Sequence, residues 1–104
     1  MDIQIKRGIL DVCVLAALRC EDSYGYKIIK DVPPALGLTE STLYPILKRL
    51  EGAGFVTAYT VEHAGRLRKY YRMEQAGQTR IDEFLTEWTD MVEVYEFIRK
   101  GAAQ

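Results

Sequence analysis

The side chains of this sequence that could do chemistry are basic groups interleaved with hydroxyls. Residues 41–72 hold Lys48, Arg49, Arg66, Arg68, Lys69 and Arg72 against Glu51 and Glu62, a net charge of +4. Ser41, Thr42 and Tyr44 lie just ahead of Lys48. Guanidinium, ammonium and hydroxyl donors in one stretch suit phosphate oxygens and base edges, the acceptors of a nucleic acid. Other chemistries lack their parts. His63 is the single histidine, and Cys13 and Cys20 stand seven apart with no Cys-x-x-Cys spacing, so no metal centre is expected. No Ser/His/Asp or Cys/His set can be assembled, so neither an enzyme nor a cofactor is expected. Gly52-x-Gly54 reads as a helix stop, not as a phosphate-cradling loop.

The remaining charge runs against the middle. The 104 residues carry a net charge of only −1, which by itself argues against a nucleic-acid partner. Residues 1–40 are near neutral at −1. Residues 73–104 hold three basic groups against seven acids, a net of −4. A basic middle followed by an acidic end points to an anionic partner for the middle, although two solvated faces of opposite sign would give the same count. The composition, 48 % hydrophobic and 28 % charged, excludes a disordered chain. No run approaches the roughly 18 apolar residues of a membrane helix, so no membrane partner is expected. Met1–Arg7 does not resemble a secretory signal. Two unpaired core thiols are the simplest use of the cysteines and fit a cytoplasmic location.

Helical spacing marks a first helix over Ile3–Arg19, with Ile5, Ile9 and Val12 on its stripe. Ser23 reads as the N-cap of a second helix, Tyr24–Val32. Gly25 inside it costs about 1 kcal/mol against Ala, which implies a close neighbouring backbone. Pro33-Pro34 ends it. Thr39 caps a third helix running to about Gly52, whose stripe is Leu43, Ile46, Leu47 and Leu50. Pro45 is expected to bend its first turns. Residues 55–62 and 67–73 alternate as two strands around the turn 63–66. A last helix from Glu74 or Gln75 to about Lys100 carries Ile81, Phe84, Trp88, Met91, Tyr95 and Ile98 at alternating intervals of three and four, a heptad seam for a second copy of the chain.

Two helices joined by a short turn, then a hairpin, describe a winged helix-turn-helix. The expected fold is therefore mainly α with one β-hairpin: a DNA-binding unit over 1–73 and a dimerisation helix over 74–104, in one compact body. The third helix would offer Ser41, Thr42, Tyr44, Lys48 and Arg49 to a major groove. The wing would offer Arg66, Arg68 and Lys69. Tyr70 and Tyr71 read as cross-strand packing.

Three segments then carry a family resemblance. Leu38-Thr39-Glu40-Ser41-Thr42-Leu43-Tyr44-Pro45-Ile46-Leu47-Lys48-Arg49-Leu50-Glu51 with Gly54-Phe55-Val56 resembles the signature of PadR-family transcriptional regulators. So does Arg68-Lys69-Tyr70-Tyr71-Arg72 ahead of Glu74-Gln75-Ala76-Gly77, and so does Leu10–Leu18 followed by Tyr24-Gly25-Tyr26-Lys27-Ile28-Ile29. The chain departs at Ser41, where the family often has Gly, and at Met73-Glu74, where it often has Leu-Thr. The resemblance implies a homodimeric winged-helix repressor on double-stranded DNA with a pseudo-palindromic operator. The length is similar to the family's short members. In one of these a tryptophan on the last helix lines a pore at the dimer centre and stacks on flat drugs. By that resemblance Trp88, with Ile9, Val12, Cys13, Asp90 and Val92, forms a candidate site for a small hydrophobic aromatic effector. A tryptophan at a seam position serves equally well as packed dimer core. An effector-free regulator and a protein-interaction module built on the winged helix are the competing functions.

Overall fold

A computed structural model describes residues 3–102, with side chains from residue 8 onward; the expected stripe position of Ile5 lies outside the described side chains. The element order is α1 (Ile3–Ala16), β1 (Ser23–Tyr24), α2 (Gly25–Asp31), a 3-10 turn (Pro34–Leu36), α3 (Glu40–Gly52), β2 (Val56–His63), β3 (Arg66–Met73) and α4 (Gln75–Lys100). The strands form one antiparallel sheet in the order β1-β3-β2. Four helices with this small sheet make the winged helix-turn-helix that the pattern of elements implies.

The core is an apolar cluster that draws on helices and sheet alike. Val14 and Leu15 of α1, Ile28 of α2, Leu43 and Leu47 of α3 and Val56 of β2 are almost wholly enclosed. Tyr71 of β3 and Ile81 of α4 close it. Burying a Leu or Ile contributes about 1.5–3 kcal/mol, so this cluster sets how α1, α2 and α3 are rotated against one another.

Several boundaries differ from the sequence expectation. The first helix stops at Ala16, not Arg19. Its last turn tightens, with Leu18 N–H donating to the Leu15 carbonyl at 2.9 Å and Arg19 N–H to Ala16 at 3.1 Å. Ser23 is not a side-chain cap. Its backbone pairs with Tyr71 in a third strand, its side chain is fully buried, and Tyr24 takes the cap position in extended conformation. Thr39 does stand at the start of α3, but its hydroxyl lies 3.1 Å from Ser41 Oγ and 3.3 Å from Thr42 Oγ1 instead of capping a backbone N–H. Pro45 leaves α3 unbroken. The hairpin turns on Ala64 and Gly65, both at positive φ (51° and 79°), the geometry of a two-residue turn that matches the twist of its strands.

Two glycines mark close approaches. A Cβ on Gly25 would lie 2.5 Å from the Tyr44 hydroxyl, so the close neighbour at Gly25 is the end of an α3 side chain and not a passing backbone. A Cβ on Gly77 would lie 2.5 Å from the Phe55 carbonyl oxygen and 2.9 Å from Met73 Cγ. The start of α4 is thereby pressed onto the base of the hairpin.

α4 changes character along its length. Ile81 is buried in the protomer's own core, at 2 % exposure, so it is not free for a partner as the heptad pattern expects; the open surface starts at Phe84, which is half-buried. Beyond it Trp88, Met91, Tyr95 and Ile98 are exposed, as are Leu85 and Val92 beside them. Residues 75–100 would span about 39 Å as a straight helix, which accounts for the elongated 67 × 26 × 21 Å envelope.

Candidate nucleic-acid interface

The four buried residues of α3 decide which residues it exposes. With Leu43, Ile46, Leu47 and Leu50 turned inward, helical spacing puts Ser41, Pro45 and Lys48 at the centre of the exposed arc. Tyr44 stands on one flank and Thr42 with Arg49 on the other. Pro45 is not among the residues that the sequence reading assigns to the site. Its position four residues after Ser41 is the signal that could have found it, since i and i+4 share a face.

The Tyr44 flank opens onto a cleft of about 640 Å³ between α3, the start of α2 and the wing. Tyr44 and Gly25 form one side, and Arg66, Leu67, Arg68 and Lys69 form the other. Gly25 leaves room for the end of the Tyr44 side chain against α2. Tyr44 keeps 48 % of its surface exposed, so it is both packed and available.

The wing's cations are held on aromatic rings. The Arg68 guanidinium lies 4.1 Å from the centre of the Tyr24 ring, Lys69 Nζ lies 5.6 Å from Tyr71, and Arg72 lies 5.0 Å from Tyr59. Cation–π contacts of this kind contribute about 0.5–1 kcal/mol at exposed sites and restrict the side chains. Tyr24 packs edge-on against Tyr70, and Tyr70 stacks on Tyr59. The three tyrosines thus form one ladder across β1, β3 and β2, and Tyr70 has the packing role expected of it. Arg66 stands exposed at the wing tip.

Asp22, just ahead of β1, ties this ladder down. It accepts a hydrogen bond from the Tyr59 hydroxyl at 2.5 Å and one from Arg72 Nε at 3.2 Å. At the hairpin base Thr57 Oγ1 donates to Glu74 at 2.7 Å. The hydrogen bond to Asp22 is the main cause that raises the Tyr59 hydroxyl above its ordinary value of 10.0, followed by desolvation and the Asp22 charge, with Arg72 pulling the other way. The Tyr71 hydroxyl is also raised, chiefly by burial.

Arg49 does not stand free on the exposed arc of α3. Its Nη2 donates to Asp11 of α1 at 2.5 Å. Of the residues expected at the interface, Tyr44, Arg66, Arg68 and Lys69 border the cleft between α3 and the wing, and Ser41 and Lys48 are exposed on α3. Thr42 and Arg49 lie on the side of α3 that faces α1.

Within one protomer the candidate effector residues do not line a single groove. Ile9 and Trp88 come together with Phe84 and Leu85 around an apolar groove of about 290 Å³. The Phe84 and Trp88 rings stack with centres 5.8 Å apart. Val92 lies on the adjoining groove with Trp88, Met91 and Tyr95. Val12 is buried in the core, and Cys13 faces a different groove with Cys20, Lys27 and Asp31. Burial pushes the Cys13 thiol up, which suits an unreactive packing residue. Asp90 is exposed and lines neither groove at Trp88. Among the described residues no three His, Cys, Asp or Glu side chains come together as a metal site, and no helix is long and apolar enough to cross a membrane.

The model of the transcriptional regulator PadR-like family matches residues 14–83, from the end of α1 into α4. The chain belongs to that family. An uncharacterised protein of Lysinibacillus sphaericus is 32 % identical over 103 residues, covering 93 % of this chain and 94 % of its own. Among solved structures, a transcriptional regulator from Clostridium thermocellum superposes with a TM-score of 0.79 at 31 % identity, over 96 % of this chain and 99 % of its own. The Bacillus subtilis PadR, solved in complex with operator DNA, superposes with a TM-score of 0.68 at 28 % identity, over 74 % of this chain and 46 % of its own. The PadR-like winged helix is thus shared across nearly the whole chain with a protein of similar size, and over the major part of it with a larger one.

One titration follows from the Asp22 cluster. Tyr59 keeps its proton above pH 10.0 in the folded chain, so its share of stability is complete below that pH and is lost as pH rises through its raised value. In Asp22→Ala, Tyr59 is expected to ionise at lower pH than in the parent, since the raising partner is gone and Arg72 remains. Absorbance at 295 nm against pH, with Tyr59→Phe to assign the step, measures this; an unmoved step refutes the assignment.

Proposed function

We propose that this PadR-like regulator is a cytoplasmic, homodimeric transcription repressor that places the α3 of each protomer in a major groove of a pseudo-palindromic operator. The observation that carries the proposal is the shared surface: Tyr44 of α3 and the wing residues Arg66, Arg68 and Lys69 border one cleft. A major groove about 12 Å wide admits one α-helix. In that pose Ser41, Pro45 and Lys48 face base edges, with the Pro45 ring suited to a thymine methyl. The wing cations then meet phosphate or the neighbouring minor groove. The Bacillus subtilis PadR, which is similar in fold and was solved in complex with operator DNA, supports a DNA-binding role for this fold.

Dimerisation through α4 is supported by what α4 leaves in water. Trp88, Met91, Tyr95 and Ile98 are 46–74 % exposed along one stripe, an apolar surface that soluble monomers rarely show. Pairing through residues 74–104 would hold two α3 helices about 34 Å apart, one turn of duplex. A specific observation favours an effector as well: the groove of Ile9, Phe84, Leu85 and Trp88 offers a flat apolar wall against which a planar hydrophobic aromatic molecule stacks. Such a molecule at the dimer centre changes the α3 separation, and a few kcal/mol of differential binding suffices to shift the balance of two states.

Three measurements test this. In a mobility-shift or anisotropy assay with the DNA upstream of its own gene, Lys48→Ala with Arg66→Ala lowers affinity and reduces the salt slope by about 0.9 for each phosphate that goes unneutralised, with the thermal melt unchanged. No specific shift by the parent chain at low salt would instead favour a protein-interaction module. Trp88→Asp buries a charge in the seam and is expected to give monomers that no longer bind the operator; a stable dimer by light scattering refutes the seam. Planar aromatic molecules are expected to quench the fluorescence of Trp88, the single tryptophan; silence across a broad panel points to an effector-free regulator.

A further inference from the structure

The α1 side of α3 carries an ion pair that the fold has little need of. Arg49 Nη2 donates to Asp11 Oδ1 at 2.5 Å, with the two side chains 58 % and 33 % exposed. Pairs this open to water add little to folding stability. Its place is more telling than its strength. Arg49 lies with Leu10, Asp11, Thr42, Pro45 and Ile46 around a shallow cleft, and Thr42 and Pro45 belong to the exposed arc of α3. Lys48 and Arg49 are the two cations of α3. A duplex whose major groove holds α3 brings one sugar–phosphate wall along each flank of the helix. On the α1 flank, Arg49 is the α3 cation that would meet it.

Asp11 cancels that charge. A phosphate approaching Arg49 meets a neutral pair, and taking the guanidinium away from Asp11 leaves a bare carboxylate facing the phosphate. We propose that Asp11 is a brake on DNA affinity: it neutralises Arg49 and withholds one phosphate partner per protomer. Phosphate contacts carry no sequence information, so the brake acts on every duplex alike. Its effect is to leave more of the binding to Ser41, Tyr44, Pro45 and Lys48 on the groove-facing side of α3. The acidic character of residues 73–104 acts in the same sense at longer range. The inference rests on the DNA-binding reading above.

The test is a comparison of wild type, Asp11→Asn, Arg49→Gln and the double variant. Each is titrated against a labelled duplex from the DNA upstream of its own gene and a scrambled duplex of equal length, at 50 and 200 mM salt. Asp11→Asn is expected to bind both duplexes several-fold more tightly at 50 mM. That advantage shrinks by about 3.5-fold between the two salt concentrations for each Arg49 that engages a phosphate. Arg49→Gln, which leaves the Asp11 carboxylate bare, binds both duplexes more weakly than wild type, and the double variant, neutral at this place like the wild-type pair, loses the gain and returns to near wild type. Asp11→Ser, with a thermal melt, provides a second route to the same cancellation should the asparagine disturb folding. Unchanged or weaker binding by folded Asp11 variants overturns the brake, as does a gain that survives in the double variant. A wild-type chain that binds neither duplex at 50 mM overturns the DNA-binding reading itself, and the brake with it.

Discussion

The rotation of α3 about its own axis is the constraint on which the rest depends. Leu43, Ile46, Leu47 and Leu50 are at most 4 % exposed. At about 1.5–3 kcal/mol for each, their burial locks the helix far more firmly than any surface contact could. A turn of one residue, about 100°, would carry Ser41 and Lys48 off the exposed centre and bring polar groups into the core. The surface chemistry of α3 is therefore a by-product of its packing. Gly25 adds a second feature, because a Cβ there would press on the end of the Tyr44 side chain where it lies against α2. Together they present one defined arc, flanked by α1 on one side and the wing on the other.

The wing is positioned by a different kind of force. Its outer half has little core beneath it; Leu67 is 76 % exposed and Val61 is 42 % exposed. What stiffens it is the ladder of Tyr24, Tyr70 and Tyr59 with Arg68 and Arg72 laid on its rings, anchored by Asp22. Aromatic and cation–π contacts each contribute about 0.5–1.5 kcal/mol, enough to bias a hairpin without making it rigid. The same arginines that order the wing are its positive charge. A partner that competes for Arg68 must first draw it from Tyr24.

Much of this is legible in the sequence, and the failures have physical causes. The elements themselves, the apolar stripe of α3 and the hairpin follow from period and turn chemistry. β1 does not, because a two-residue strand has no period, and Ser23 before a helix looks like a cap whether or not it pairs with Tyr71. Ile81 fits a heptad seam as well as Phe84 does; only the close seat of Gly77 on Phe55 brings that turn of α4 into the core. Arg49 looks free in the sequence because its partner, Asp11, is 38 residues away and local spacing carries no trace of it. Resemblance groups Val12, Cys13 and Asp90 with Trp88, whereas helix phase points them in different directions.

The two surfaces proposed to matter, one for DNA and one for a second copy or an effector, meet in α1. Ile9 lies on the groove with Phe84 and Trp88, and Asp11, two residues on, holds Arg49 of α3. Just beyond them Val12, Val14 and Leu15 are locked in the core. Packed interiors do not deform continuously, so α1 moves as a unit or not at all. Anything that shifts α1 against α4 at Ile9 must then change the fit of α1 against α3, at the Asp11–Arg49 pair and in the cleft that Leu10 and Ile46 line beside it. This fold has no need of a long relay between its two faces. One helix, set by the same core that fixes α3, touches both.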